Sequence, residues 1–216
     1  MHGVQKMSRA EVWDAIHRER AALAEELAEL TPAQWATRSL CGQWTVEEVV
    51  AHLTAAASLG RWRWLRSMVG ARFDAGLHNR RRLLEYRGHD PADTLARFRA
   101  VITDTTAPSG HTPAWLGEVV VHGQDIRRPL GLSRSPTLPT VTEVAQFFAE
   151  RDFTVAGRTV REGLRLVATD GPWEIGTGPE VRGSTVALVM VLAGRTEYCA
   201  ELTGPGVPTL RSRIGA

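Results

Sequence analysis

Four stretches in the first 130 residues set their apolar side chains at helical spacing, and residues that start or stop helices bound each one. The first runs over residues 8 to 30. Ser8 and Glu11 have the spacing of a capping box, and Val12, Ile16, Leu23, Leu27 and Leu30 form one apolar stripe. Thr31-Pro32 ends it. A second helix opens at Thr45, with Glu48 as its box partner and Val46, Val49, Val50 and Leu53 as the buried stripe. Its pattern continues through Trp62, Leu65, Met68 and Val69, with Gly60 as a point of bending. Residues 70 to 90 read as a basic, turn-rich loop holding a short helical piece. Asp90-Pro-Ala-Asp93 caps a third helix carrying Leu95, Phe98 and Ile102, and Pro108-Ser-Gly separates it from a fourth over about 113 to 130. Helices of this length joined by short connections imply a four-helix bundle.

Around Pro136-Thr-Leu-Pro139 the texture changes. A helix over about 140 to 150 precedes two short β-like runs, Leu164 to Ala168 and Trp173 to Ile175, split by Asp170-Gly-Pro. Gly183-Ser-Thr then opens an apolar helix ending near Arg195. The expected class is α+β: a helical bundle over 1–133 followed by a small α+β domain over 134–216. The 216 residues suffice for this, and 43% hydrophobic with 23% charged residues is ordinary for a globular chain.

Chemistry concentrates in the fourth helix, at Glu118-Val-Val-Val-His122-Gly-Gln-Asp125. A carboxylate and an imidazole four residues apart share a helical face about 6 Å apart, so both reach one ion that takes oxygen and nitrogen ligands. That is two-thirds of an open catalytic site. His52 is the natural third ligand, beside the buried stripe of the second helix. Glu48 repeats the spacing with His52 and admits a dinuclear carboxylate reading, but its capping-box role already accounts for it. Asp125 shares the face of His122 and can orient that ring, or can simply be a helix-end aspartate. His2, His17, His78, His89 and His111 fall on termini, loops or the first helix and are read as ordinary surface or core histidines. Cys41 and Cys199 form no CxxC pair, so neither a disulfide framework nor a thiolate zinc knuckle is indicated. Cys41 precedes the second helix, and the roughly 10 Å from Thr45 to His52 along that helix points to an inert thiol.

Lys6 is the sole lysine, and the net charge is only +2. Arginine-rich usage with abundant alanine and glycine fits a high-GC genome. Arg61, Arg63, Arg66 and Arg80-Arg81-Arg82 cluster locally and read as a solvated face or the rim of a pocket for an acidic ligand. With so little net charge, no nucleic-acid partner is expected. No apolar run reaches the ~18 residues of a membrane span, and the N-terminus lacks a signal-peptide core, so a cytoplasmic protein without a membrane partner is expected.

Two segments resemble the mycothiol-dependent maleylpyruvate isomerase-like family. Leu40-Cys-Gly-Gln-Trp-Thr-Val-Glu-Glu-Val-Val-Ala-His-Leu53 is similar to its tryptophan–histidine signature, and Trp115-Leu-Gly-Glu-Val-Val-Val-His-Gly-Gln-Asp-Ile-Arg-Arg-Pro-Leu-Gly131 to its second ligand-bearing helix. Leu164 to Trp173, Gly183 to Arg195 and Leu202 to Val207 resemble its small C-terminal domain. The resemblance implies a DinB-like up-down four-helix bundle holding a divalent metal through His52, Glu118 and His122, zinc first and nickel as the alternative. It implies mycothiol as the thiol cosubstrate, a small electrophilic substrate, and isomerisation or S-transfer as the reaction. An arginine of the C-terminal domain takes part in the family's activity; Arg195 is the candidate here, with Arg165, Arg182 and Arg211 left open. Asp125 joins Arg195 as a candidate catalytic residue. A monomer or homodimer is expected. Two competing functions stay open on the same residues: a metal-water hydrolase, and a metal-containing protein that binds a small ligand without turning it over.

Overall fold

The computed structural model describes residues 6–42, 44–60, 62, 65, 66, 69 and 74–214, without the side chains of residues 75, 77 and 78. His2, Arg61, Arg63 and Met68 lie outside the described residues, as does the side chain of His78.

The helix starts follow the capping chemistry. Helix α1 (Arg9–Ala28) begins where Ser8 N–H donates to Glu11 Oε2 at 2.7 Å and Glu11 N–H donates to Ser8 Oγ at 3.3 Å. The four-residue α2 (Pro32–Trp35) carries its own box between Thr31 and Gln34. Helix α3 (Val46–Ser58) starts at the Thr45–Glu48 box, with Thr45 N–H donating to Glu48 Oε2 at 2.8 Å. Glu48 is thereby committed to the helix start. Residues 75 to 86 depart from expectation. They form a 12-residue helix, α4 (Ala75–Tyr86), rather than a loop with a short helical piece. Arginine and leucine are good helix formers, and Arg82 pairs with Glu85 one turn on. Leu83 is buried, so α4 needs only a narrow apolar contact with α3.

Helix α5 (Pro91–Ala100) is capped by Asp90, whose carboxylate accepts from Asp93 N–H at 2.8 Å. Helix α6 (Thr112–Leu130) stops at Gly131, whose φ of 68° lets its N–H and that of Leu132 turn back to Arg128 and Arg127 carbonyls.

Two compact units result: Trp13–Arg134, and Ser135–Ala216 together with the N-terminal stretch ending at Val12. In the helical unit, α3 packs against α4, α5 and α6. Ile16, Leu23, Leu27, Val49, Val50, Leu53, Phe98, Leu116, Val120 and Ile126 make its dry core. Arg20 is buried and donates from Nη1 to the carbonyls of Val101 (3.1 Å) and Asp104 (2.9 Å), closing the end of α5. Burial pulls its pKa down to about 10. Arg127 is 1% exposed and forks onto Glu26 Oε2 through Nε (2.8 Å) and Nη2 (2.7 Å). Its guanidinium lies over Gly123, where a Cβ would meet Nη1 at 2.8 Å.

In the second unit, helix α7 (Leu138–Glu150) precedes the single turn α8 (Gly157–Val160) and a three-stranded sheet. The strands are β1 (Arg165–Ala168), β2 (Glu174–Ile175) and β3 (Glu180–Gly183), in the order β2-β1-β3. β1 and β2 match the expected runs. β3 is an addition, pairing in parallel with β1 and setting Val181 opposite Leu166. Its sequence, Glu-Val-Arg-Gly, carries a single apolar residue and so gives little signal. Helix α9 (Thr185–Leu192) packs on α7 and is opened by Ser184 Oγ accepting from Ala187 N–H at 3.2 Å. Asp170 accepts from both the N–H and hydroxyl of Thr185, at 3.0 and 2.6 Å. A 3-10 turn over Thr196–Glu201 and helix α10 (Val207–Ile214) follow. Trp173, 1% exposed, satisfies its indole by donating to Gln146 Oε1 at 2.8 Å. This is a helical N-terminal part followed by a small α+β part, as expected. Among the described residues, no helix is long and apolar enough to cross a membrane.

Candidate metal centre

Because α3 and α6 pack together, the residues on their facing stripes meet. His52, on the inner face of α3 between Val49 and Leu53, presents Nε2 2.6 Å from Glu118 Oε1. His122, one turn after Glu118 on α6, presents Nε2 3.5 Å from the same oxygen. The donor atoms of His52, Glu118 and His122 all fall within 4.8 Å of one another. Two imidazole nitrogens and a carboxylate oxygen at this spacing fit a divalent metal, because one ion of intermediate softness accepts all three. The histidine rings stand nearly edge-on to each other, with centroids 4.9 Å apart.

The surroundings fix the ligands. Asp125, fully buried, places Oδ2 2.9 Å from His122 Nδ1. An Nδ1–H donating to that carboxylate leaves Nε2 as the free lone pair on the Glu118 side. Asp125 also accepts at its backbone carbonyl from Leu40 N–H, at 3.1 Å. That bond pulls the loop before α3 onto α6. Trp44 in the same loop lies with its ring centroid 4.9 Å from His52 and 6.5 Å from His122, covering one side of the site. The Glu118 side chain retains 20% exposure while the two histidines retain 11% each, so the opening lies at the carboxylate.

Charge balance follows from packing. Burial pushes the Glu118 carboxyl up, but hydrogen bonds from His122 and His52 and their charge outweigh it and hold the group well below the ordinary carboxylate value. Burial pushes His122 down, and bonds to Asp125, Cys41 and Glu118 overcome that and raise it well above the ordinary histidine value.

Of the candidate site residues, the structure thus gathers His52, Glu118, His122 and Asp125. Arg195 lies in the other unit, half-buried, at the start of the 3-10 turn, where Nη1 donates to Ala193 O at 2.7 Å. Sequence reasoning misplaced Cys41: its sulfur, His122 and Asp125 also have donor atoms within 4.8 Å of one another. The distance along α3 does not matter, because the Leu40 bond folds the loop onto α6 instead.

Residues 16–114 match the family model described as the mycothiol maleylpyruvate isomerase N-terminal domain. The matched segment holds His52 and stops short of Glu118. Two solved structures share the fold at a TM-score of 0.64, with 95% of this chain and 96% of theirs covered. One is the mycothiol-dependent maleylpyruvate isomerase, 15% identical; the other is a histidine-to-alanine mutant of that enzyme, 14% identical. No curated protein matches the chain.

Proposed function

We propose that this protein, whose residues 16–114 match the mycothiol maleylpyruvate isomerase N-terminal domain family, is a metal-dependent, thiol-using enzyme with His52, Glu118 and His122 as ligands. The observation that carries the reading is the convergence of both imidazole Nε2 atoms on one Glu118 oxygen. A divalent ion there, zinc by donor chemistry with nickel as the alternative, would lower the pKa of a coordinated thiol and supply a nucleophilic thiolate. The protein's own residues do the rest. Asp125 holds the His122 ring and its tautomer, acting as a positioning residue. Trp44 walls the site against water on the His52 side. Glu118 lies at the opening, where a thiol such as mycothiol would enter. Arg195 is our candidate for pairing with a carboxylate of the substrate. Addition of the thiol to an activated double bond and its later expulsion would isomerise the substrate; displacement of a leaving group would give S-transfer.

A metal-water hydrolase needs a general base beside the opening. Asp125, the candidate for that role, is fully buried and turned onto His122, which disfavours the hydrolase reading. Thermal unfolding of zinc-loaded protein with mycothiol, set beside simple esters and amides, tests the proposal. The expected result is a mycothiol-specific rise in Tm that disappears in His52→Ala. A rise with esters alone would favour the hydrolase. Ligand binding unchanged in His52→Ala, without thiol-dependent turnover, would favour a non-catalytic binding protein.

A further inference from the structure

The loop before α3 brings a sulfur to the second ring nitrogen of His122. Ser39 closes that loop onto Trp44: the Ser39 N–H and hydroxyl both donate to the Trp44 carbonyl, each at 2.9 Å. Ser39 Oγ in turn accepts from Cys41 N–H at 3.1 Å, and Leu40 N–H donates to the Asp125 carbonyl at 3.1 Å. Cys41 is thus held over α6, half-buried, with its thiol hydrogen-bonded to His122. Cys41, His122 and Asp125 each offer one ligand atom, and these three atoms lie within 4.8 Å of one another. A single ion holds such atoms roughly 3 to 4 Å apart, so small side-chain rotations close the set without moving a helix.

This set differs from His52, Glu118 and His122 in geometry and in donor chemistry. His122 Nε2 faces Glu118 at 3.5 Å, while Nδ1 faces Asp125 Oδ2 at 2.9 Å, so each set meets its own ring nitrogen. Sulfur replaces one imidazole, and a thiolate favours softer ions than two imidazoles and a carboxylate do. Asp125 is fully buried, and a cation beside it offsets the cost of burying its charge. We propose that Cys41, His122 and Asp125 form a second cation subsite, selective for a thiophilic divalent ion, with the His122 ring shared between the two sets. Binding there releases the Cys41 thiol proton and the His122 Nδ1 proton, and Asp125 passes from partner of that proton to ligand of the ion. The subsite needs neither His52 nor Glu118, and it does not rest on the thiol chemistry proposed above.

The test is titration of the metal-free full chain with cadmium, a thiophilic ion whose bond to sulfur gives an ultraviolet charge-transfer band. The band should appear in the wild type and persist in Cys199→Ser, since Cys199 is buried in the other unit. It should also persist in His52→Ala, where the first set has lost a ligand. Adding Cys41→Ser to His52→Ala should abolish the band and cut cadmium affinity at least about a hundredfold in competition with a chelator. Circular dichroism checks that each variant folds. A measurement free of variants stands beside these: cadmium should protect Cys41 of the folded wild type from alkylation, mapped by mass spectrometry. No band in the wild type, or equal alkylation of Cys41 with and without cadmium, overturns the proposal. So does a band that survives Cys41→Ser, or one that vanishes in His52→Ala alone, which would put Cys41 among the ligands of the first set. Failure of the first set itself would show instead as zinc content unchanged in His52→Ala, so the two readings fail separately.

Discussion

Two carboxylates pack against helix α3 or belong to it, one closed and one open. Glu47, at its start, accepts from Arg87 Nε (3.0 Å) and Nη2 (2.6 Å) and from the Thr94 hydroxyl (2.9 Å), with 8% of its side chain exposed. Both of its oxygens are hydrogen-bonded, and the cluster ties α3 to α5 and to the residue after α4. Glu118, facing His52 further along α3, meets two imidazoles among the described residues and stays 20% exposed. A closed cluster holds helices together. An open one, with both nitrogens aimed at one oxygen, is arranged to take a ligand.

The contrast breaks first at the ligands. His52→Ala or Glu118→Ala should cut metal affinity by on the order of a thousandfold or more, since a three-ligand site loses a donor outright. The far-ultraviolet spectrum should stay intact. Metal titration against a competing chelator reads the loss, and an affinity within about tenfold of wild type would mean the triad is not the site. Glu47→Ala should do the opposite. It should leave metal affinity alone and cost roughly 2 kcal/mol in urea unfolding, because Thr94 and Arg87 lose their partner while the half-exposed Arg87 recovers water. Parallel loss of metal there would erase the distinction between closed and open clusters.

Asp125→Asn sharpens the contrast. It should weaken metal binding by about 10- to 100-fold through loss of the His122 tautomer, and it should lower the stability of the metal-free protein below neutral pH, because the charged His122 loses its buried partner. The smallest expected effect is on pH dependence without metal. The raised His122 favours its charged form when folded, so its contribution is complete below the ordinary histidine value of 6.5 and is lost as pH climbs through its raised value. The lowered Glu118 contributes above the ordinary 4.5 and is lost as pH falls through its depressed value. Metal-free protein should therefore lose thermal stability as pH rises above neutral, and zinc should abolish that loss. An equal alkaline loss with zinc bound would contradict the coupling.

Much of the fold and of the open cluster is legible in the residues alone. The capping boxes at Ser8 and Thr45 and the Asp90 cap mark helix starts, because those signals are local. The i, i+4 spacing of Glu118 and His122 is local too, and the apolar stripe around His52 marks its inward face. What escapes sequence reading depends on contacts distant along the chain. α4 hides behind a polar, arginine-rich composition although one leucine anchors it. β3 has too few apolar residues to announce itself and exists because β1 offers it an edge. The Cys41 loop reaches His122 through one backbone bond to Asp125, which no spacing along α3 reveals. The Glu47 cluster joins residues 40 and more positions apart for the same reason.

The most direct measurement is elemental analysis of protein purified without chelators, beside His52→Ala prepared identically. The account predicts close to one divalent metal per wild-type chain and little in the variant. Less than about 0.2 metal per wild-type chain, or equal metal in both proteins, would contradict it.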